Sequence, residues 1–337
     1  MDQLLVEQEE HMVARNMGGG PRPVNIPSNG ALSPTAVPAG GGAVDWRAAL
    51  AGLDGAYSAH TLRSYGADFA SFEAWCNRRT LTALPADAAT VAAYLDDCAA
   101  GVAPATLRRR VAGIRKLHRL SRHLDPTQDE AVVLALRRAR RKKPARPDQA
   151  LGLTAALRDQ LIAACATDLA GLRSRAMIAV GYDMLCRRSE LVALRVEDLE
   201  LRPSGGANLL VRRSKTDQDG NGRVAALSRR AVAILEEWLA AAGIERGPIF
   251  RPVYGNRVLV RFLNPIAVSR LIKNAAEKAG LDTDTVRRLS GHSMRVGCAQ
   301  DLNRDRFDLL TIMRAGGWRS MNVVARYVEK VDLRIWE

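Results

Sequence analysis

The sequence predicts a mainly α protein in two domains: a helical bundle, then a mostly helical domain that holds a small β-sheet. Three observations lead there. The chain has 337 residues, more than the roughly 150 of a typical single domain, and its 47% hydrophobic content suffices for two packed cores. Apolar residues recur every three to four positions over most of the chain past Trp46. In one stretch, 208–227, that period breaks.

The elements follow in order. Residues 1–45 read as a flexible extension. The opening MDQLLVEQEEHMVARNM allows a short helix and lacks the apolar run of a secretory signal. The stretch 17–44 is too rich in Gly and Pro to repay the entropy of ordering. Residues 46–141 predict the bundle. Segment 60–78 sets Leu62, Tyr65, Phe69, Phe72 and Trp75–Cys76 on one stripe. ADAATVAAYLDDCAA predicts a second helix with an Asp-rich first turn. ATLRRRVAGIRKLHRLSRH lines Leu107, Val111, Ile114, Leu117 and Leu120 on one face, with Arg108, Arg109, Arg115, Lys116, Arg119 and Arg122 on the other. EAVVLALRRARRKK is a fourth helix. Two prolines and a dense run of Lys and Arg between Arg137 and Arg146 then predict a basic linker, 142–153. In the second domain, 154–337, amphipathic helices are expected at 154–167, 170–185, 189–196, 228–242, 264–279, 292–304, 307–315 and 320–329. Between the third and fourth of these, NLLVRRSKTDQDGNGRVAAL predicts two short strands joined by a turn of Asp, Asn and Gly.

Composition narrows the function. A net charge of +14, from 50 Lys and Arg against 36 Asp and Glu, favours a polyanionic partner, of which nucleic acid is the commonest. The five cysteines are scattered with no C-x-x-C pair, so neither a zinc site nor a disulfide framework is expected. Scattered thiols fit a reducing cytoplasm. No apolar run approaches the roughly 20 residues that span a bilayer. There is no GxxxxGK[ST] loop and no HExxH motif, so no cofactor is expected.

Seven residues stand out for their chemistry. GHSMRVG places His292 and Arg295 three apart, on one face if helical. AGGWRSMNVVARY brings Trp318 after a Gly pair and Tyr327 nine residues later. LCRRSELVALRVEDL places Arg187 three before Glu190, and Lys215 enters the turn of the hairpin. Two arginines can clamp one phosphate bidentately and neutralise the charge that builds on its non-bridging oxygens. A tyrosine hydroxyl, with a pKa near 10, attacks at neutral pH only if a neighbour accepts its proton, which a histidine can do. A lysine can protonate a leaving 5′ oxygen. Each residue alone has an ordinary reading: a packing tyrosine or tryptophan, a surface Arg–Glu pair, a solvated hairpin lysine, a core histidine. Their order and context carry the case.

The series Arg187, Lys215, His292-x-x-Arg295, Trp318, Tyr327 resembles the active-site signature of the tyrosine site-specific recombinase/integrase family, most closely its Cre-like branch, over roughly residues 46–330. The resemblance implies attack of Tyr327 on a scissile phosphate, giving a 3′-phosphotyrosine and then a Holliday junction, without metal or ATP. Arg187 and Arg295 would bind the phosphate, and Lys215 would be the general acid. His292 would assist proton transfer, Trp318 would bond the phosphate through its indole N–H, and Glu190 would hold the site in shape. It also implies a C-shaped clamp on double-stranded DNA. In that clamp 46–141 is the core-binding domain and 154–337 the catalytic one, and a homotetramer works on two sites that are specific inverted repeats. Arg108, Arg109, Arg115, Lys116, Arg141, Lys142 and Lys143 would then meet the backbone, with Arg270 and Lys273 in the major groove. The expected setting is a bacterial or mobile-element nucleoid. After Tyr327 the sequence runs VEKVDLRIWE, about half the tail expected of the branch, with Leu333, Ile335 and Trp336 available to dock on a neighbouring protomer. A telomere resolvase, a type IB topoisomerase and a DNA-binding protein without chemistry are the competing readings.

Overall fold

The computed structural model describes residues 45–143, 149–213 and 221–329. The chain divides into two compact units, with the boundary between residues 145 and 146. The first is all helical: α1 (Trp46–Ala51), α2 (Ala59–Asn77), α3 (Ala88–Cys98), α4 (Pro104–Leu120) and α5 (Glu130–Lys142). Side-chain oxygens of Asp45, Ser58, Asp87 and Asp129 cap the starts of α1, α2, α3 and α5, while α4 opens on a proline whose missing N–H would have no partner there. The expected Asp-rich first turn of α3 is not found: Asp87 is its cap, and the first turn carries no acid.

The predicted stripe of α2 is inside, with Phe69, Phe72, Trp75 and Cys76 buried and Leu62 and Tyr65 packed at the edge. Trp46, Phe69, Phe72, Tyr94 and Trp75 form a run of edge-on and tilted ring contacts at 5.1–5.9 Å. Leu107, Val111, Ile114 and Leu117 of α4 close the core from the other side, and Leu120 is half-buried at the helix end.

The second unit begins with α6 (Ala155–Ala164), α7 (Leu169–Asp183) and α8 (Arg188–Ala193). Helix α7 departs from the amphipathic expectation: Ala176 to Tyr182 are buried in succession, which marks a central helix covered on all sides. Strands β1 (Leu199–Leu201), β2 (Ala207–Val211) and β3 (Arg223–Leu227) form an antiparallel sheet with Leu199 opposite Leu209 and Ala207 opposite Leu227. Then come α9 (Arg229–Ala241), a two-residue-per-strand hairpin of β4 (Val253–Tyr254) and β5 (Arg257–Val258), and helices α10 (Pro265–Lys278), α11 (Thr283–Arg288), α12 (Ser293–Arg304), α13 (Leu309–Gly316) and α14 (Met321–Val328). Strand β1, the β4–β5 hairpin and α11 were not expected. They are six residues or shorter, too brief for a period to register.

Helix α12 runs through the middle of this unit, with every residue from Ser293 to Ala299 buried. The segment Leu151–Leu153 lies against it: Leu153 N–H donates to Ser293 O at 2.8 Å, and Leu151 N–H to Arg288 O. Gly297 makes that approach possible, since a Cβ there would stand 1.9 Å from the Leu153 carbonyl oxygen. We expect Gly297→Ala to lower the stability of this unit by about 1–3 kcal/mol, because the obstructing atoms are backbone. Urea denaturation followed by tryptophan fluorescence measures this, and an unchanged midpoint would mean that the segment can lift away freely.

Candidate active site

The site is assembled at the end of α7. There the chain turns through Leu185, which has a left-handed φ of 48°. That conformation costs a branched residue of order 1–3 kcal/mol and persists only where surroundings enforce it. The turn leaves two carbonyl oxygens of the helix C-terminus without helical donors, and two arginines take them. Arg295, fully buried on α12, donates from Nη1 to Leu185 O. Arg223, the first residue of β3, donates to Met184 O at 2.9 Å and to Ala315 O at 2.9 Å. The negative end of the α7 dipole favours both cations.

Two residues on, Arg187 caps α8. Its backbone N–H and its guanidinium both donate to Glu190, at 3.1 and 2.6 Å. Glu190 is 2% exposed and also accepts from Arg223 at 3.4 Å. Three guanidiniums thus surround one carboxylate, and the surplus is two positive charges. Burial pushes the Arg295 pKa down to about 10, with Arg187 and Arg223 adding repulsion that Glu190 offsets in part. Nη2 of Arg295 is buried with no hydrogen-bond partner among the described residues, a donor suited to an anionic oxygen.

The Arg295 guanidinium lies 3.9 Å from the centre of the Trp318 ring. The Gly pair before Trp318 explains itself here. A Cβ on Gly316 would sit 2.1 Å from the indole, and Gly317 ends α13 with φ +62°, the left-handed cap that glycine adopts without strain. Trp318 in turn packs against Tyr327 of α14, ring centres 5.7 Å apart. The Tyr327 hydroxyl lies 2.7 Å from His292 Nε2. Burial, then Arg295 and Arg187, lower the His292 pKa to about 4. The imidazole is therefore neutral near pH 7, and with its proton on Nδ1 it accepts from the tyrosine O–H.

Arg295, Trp318, Tyr327 and His292 thus form one chain of direct contacts, and the Arg187–Glu190 pair joins them through Arg223 and the turn after α7. Lys215 lies outside the described residues, and β2 ends before it, at Val211. Arg223 escaped the sequence reading, although a signal existed: it shares its strand parity with the buried Ala225 and Leu227, so an arginine on the inward face called for a buried acceptor. The basic residues of the first unit are partly engaged within it. Arg109 pairs with buried Asp68 at 2.9 Å, Arg115 bonds Thr127 at 3.0 Å, and Lys116 bonds the Tyr57 hydroxyl. Arg108, Arg141 and Lys142 are exposed, and Lys143 is half-buried. On α10, Arg270 is exposed and Lys273 bonds Arg287 O. Among the described residues no cluster of metal-ligating side chains occurs and no helix is long and apolar enough to cross a membrane.

Comparison with known proteins decides the family. Residues 153–334 match the phage integrase family, and residues 50–123 match the phage integrase N-terminal SAM-like domain. This chain belongs to the phage integrase family. The recombinase is 34% identical to an integrase/recombinase xerD homolog of Selenomonas ruminantium over 81% of this chain and 82% of the relative. It is 31% identical to the recombinase cre of Escherichia phage P1 over 82% and 86%. A lambda integrase tetramer bound to a Holliday junction shares the fold, with a TM-score of 0.56 over 87% of this chain and 78% of that one at 17% identity. The chain is accordingly a tyrosine site-specific recombinase.

The histidine gives the recombinase a pH signature. An unfolded chain binds a proton at His292 near pH 6.5, the folded one only near 4. The unfolded state therefore gains stability between these values. The contribution of this group to folding is complete above about pH 6.5 and is lost as pH falls toward 4. We expect the stability gap between the parent and His292→Gln to shift by up to about 3 kcal/mol over that window, read from urea midpoints at pH 7 and pH 4.5. Parallel pH profiles would place the imidazole in solvent.

Proposed function

We propose that this recombinase cleaves DNA by attack of the Tyr327 hydroxyl on a scissile phosphate. The observation that carries this reading is the 2.7 Å contact between that hydroxyl and a neutral His292, beside the buried donor of Arg295. The tyrosine oxygen bonds phosphorus, its proton passes to His292 Nε2, and the bond to the 5′ oxygen breaks. Without DNA bound, buried His292 with a pKa of about 4 is a weak base, but the arriving phosphate anion raises it toward the useful range. Arg187 and Arg295 bind the non-bridging oxygens, and the two surplus charges match the charge of the pentacoordinate transition state. Trp318 bonds the phosphate through its indole N–H and supports Arg295 from below. Glu190 keeps Arg187 extended, and Lys215 gives the 5′ oxygen its proton. The phosphotyrosine stores the bond energy and the arginines supply the charge, so the reaction requires neither ATP nor a metal. Attack by a 5′-hydroxyl of a second site reverses the step and passes through a Holliday junction.

In the same reading, residues 46–141 form the core-binding domain, 142–153 the linker and 154–337 the catalytic domain, and both domains bind duplex DNA. Arg108, Arg109, Arg115, Lys116, Arg141, Lys142 and Lys143 contact the backbone, with Arg270 and Lys273 at the major groove. The solved lambda integrase tetramer on a Holliday junction supports four copies on two sites. Identical chains related by a two-fold axis read inverted half-sites. Such a protein works at the nucleoid, in the cytoplasm of a bacterium.

The test is a nicked substrate, carrying a site that the protein has selected from random DNA, incubated in EDTA and run on a denaturing gel. We expect a covalent band that Tyr327→Phe abolishes, and recombinant products on paired intact sites. A band with only relaxed circles or hairpin ends would favour a topoisomerase or resolvase, and binding without a band a protein that does no chemistry. Lys215→Ala should slow cleavage of the normal site on the order of 10²-fold or more yet spare a substrate with sulfur at the 5′ bridging position. Equal slowing of both would remove the general-acid role.

A further inference from the structure

Tyr327 is held at both ends by helix α12. His292, at its start, meets the hydroxyl. Gln300, eight residues later and so about 12 Å along the axis, donates from Nε2 to the Tyr327 carbonyl oxygen at 3.0 Å. That carbonyl lies in the last turn of α14, which ends at Val328, where helix geometry provides no intrahelical donor. The carboxamide is a side-chain cap on the nucleophile's own peptide. Its oxygen is confined by Gly152: a Cβ on that glycine would stand 2.0 Å from Gln300 Oε1, 2.8 Å from its Cδ and 3.2 Å from Gly297 Cα. The carboxamide therefore sits between the backbone of the segment 151–153 and the backbone of the nucleophile.

We propose that Gln300 is a positioning residue for the cleavage step, kept in place by the Leu151–Leu153 segment, so that the start of the second unit sets the seat of Tyr327. This rests on the reading of Tyr327 as the nucleophile. Gln300 touches no reacting atom. It acts by fixing the backbone from which the phenol extends, while His292 holds the hydroxyl. Residues 151–153 lie close to the start of the second unit, whose first residue is 146, so a displacement of that segment acts on the Gln300 carboxamide and from there on Tyr327. The absence of a side chain at position 152 is what leaves room for this contact.

The experiment uses the full chain and the nicked DNA substrate, with single-turnover cleavage measured against DNA concentration. Gln300→Ala, the isosteric Gln300→Glu (whose carboxylate cannot donate) and Gly152→Ala should each lower the saturating rate on the order of 10- to 100-fold, the scale for a misplaced reacting group. The half-saturating DNA concentration should stay unchanged. Because both positions act on one carboxamide, Gly152→Ala combined with Gln300→Ala should be no slower than the worse single variant. Gln300→Glu keeps the side-chain volume, so a parent-like melting temperature there separates lost positioning from lost folding. A saturating rate within about twofold of the parent in Gln300→Ala and Gln300→Glu, or losses that multiply in the double variant, would overturn the proposal. A covalent band that survives Tyr327→Phe would instead remove the reading beneath it.

Discussion

The turn at the end of α7 is where the rest of the site is anchored. A buried guanidinium is tolerable only if its donors are met and its charge is balanced, and here both demands fall on a few backbone atoms. Met184 and Leu185 present carbonyl oxygens because the helix stops there, and the stop is enforced by a left-handed Leu185. Arg223 and Arg295 occupy those oxygens from β3 and α12, two elements that are otherwise distant in sequence. Loss of the turn would therefore cost Arg295 its carbonyl acceptor and Arg223 one of its two, and would loosen α12 and β3 from the end of α7. The strain at Leu185 is the local cost of bringing four elements to one point.

The balance left at that point is deliberately incomplete in charge. Glu190 offsets one of the three guanidiniums around it, and Arg295 retains a buried donor with no partner among the described residues. A site neutral on its own would have to break ion pairs before it could bind a phosphate. This one holds its donors fixed before any anion arrives, so little reorganisation remains for the reaction itself. The depressed pKa values of Arg295 and His292 have the same origin: burial together with uncompensated positive neighbours. In the proposed mechanism the arriving phosphate relieves both shifts at once and so readies His292 to accept a proton.

Much of this was legible in the sequence, because it is written in local chemistry. The stripe Phe69–Phe72–Trp75 and the face Leu107–Val111–Ile114–Leu117 need only the helix period, and both are buried as that period requires. Arg187, His292, Arg295, Trp318 and Tyr327 were legible through their order in the chain, and the geometry supplies a physical reason for the Gly pair in front of Trp318. What could not be read depends on contacts between segments far apart. The role of Arg223 rests on carbonyls 92 and 39 residues away, and no periodicity encodes those. The central burial of α7 was mistaken for an amphipathic pattern because small residues such as Ala176, Ala179 and Gly181 dilute its apolar signal.

Small residues also decide how tightly the moving part of the chemistry is held. Gly297 lets the Leu151–Leu153 backbone lie on α12, Gly152 lets Gln300 reach across it, Gly181 leaves room for Met294, and Gly316 admits the indole of Trp318. Each permits an approach that one methyl group would prevent, and together they draw the α12 and α14 helices, the turn after α7 and the first segment of the second unit into mutual contact. A tyrosine on a two-turn helix has little to hold it by helix propensity alone. Its position depends instead on contacts at the ring, the hydroxyl and the carbonyl, made by Trp318, His292 and Gln300. Two of those three come from α12, which also carries Arg295, so in the proposed mechanism the attacking tyrosine and the phosphate-binding arginine are registered to the same rigid element and an error in one is shared by the other.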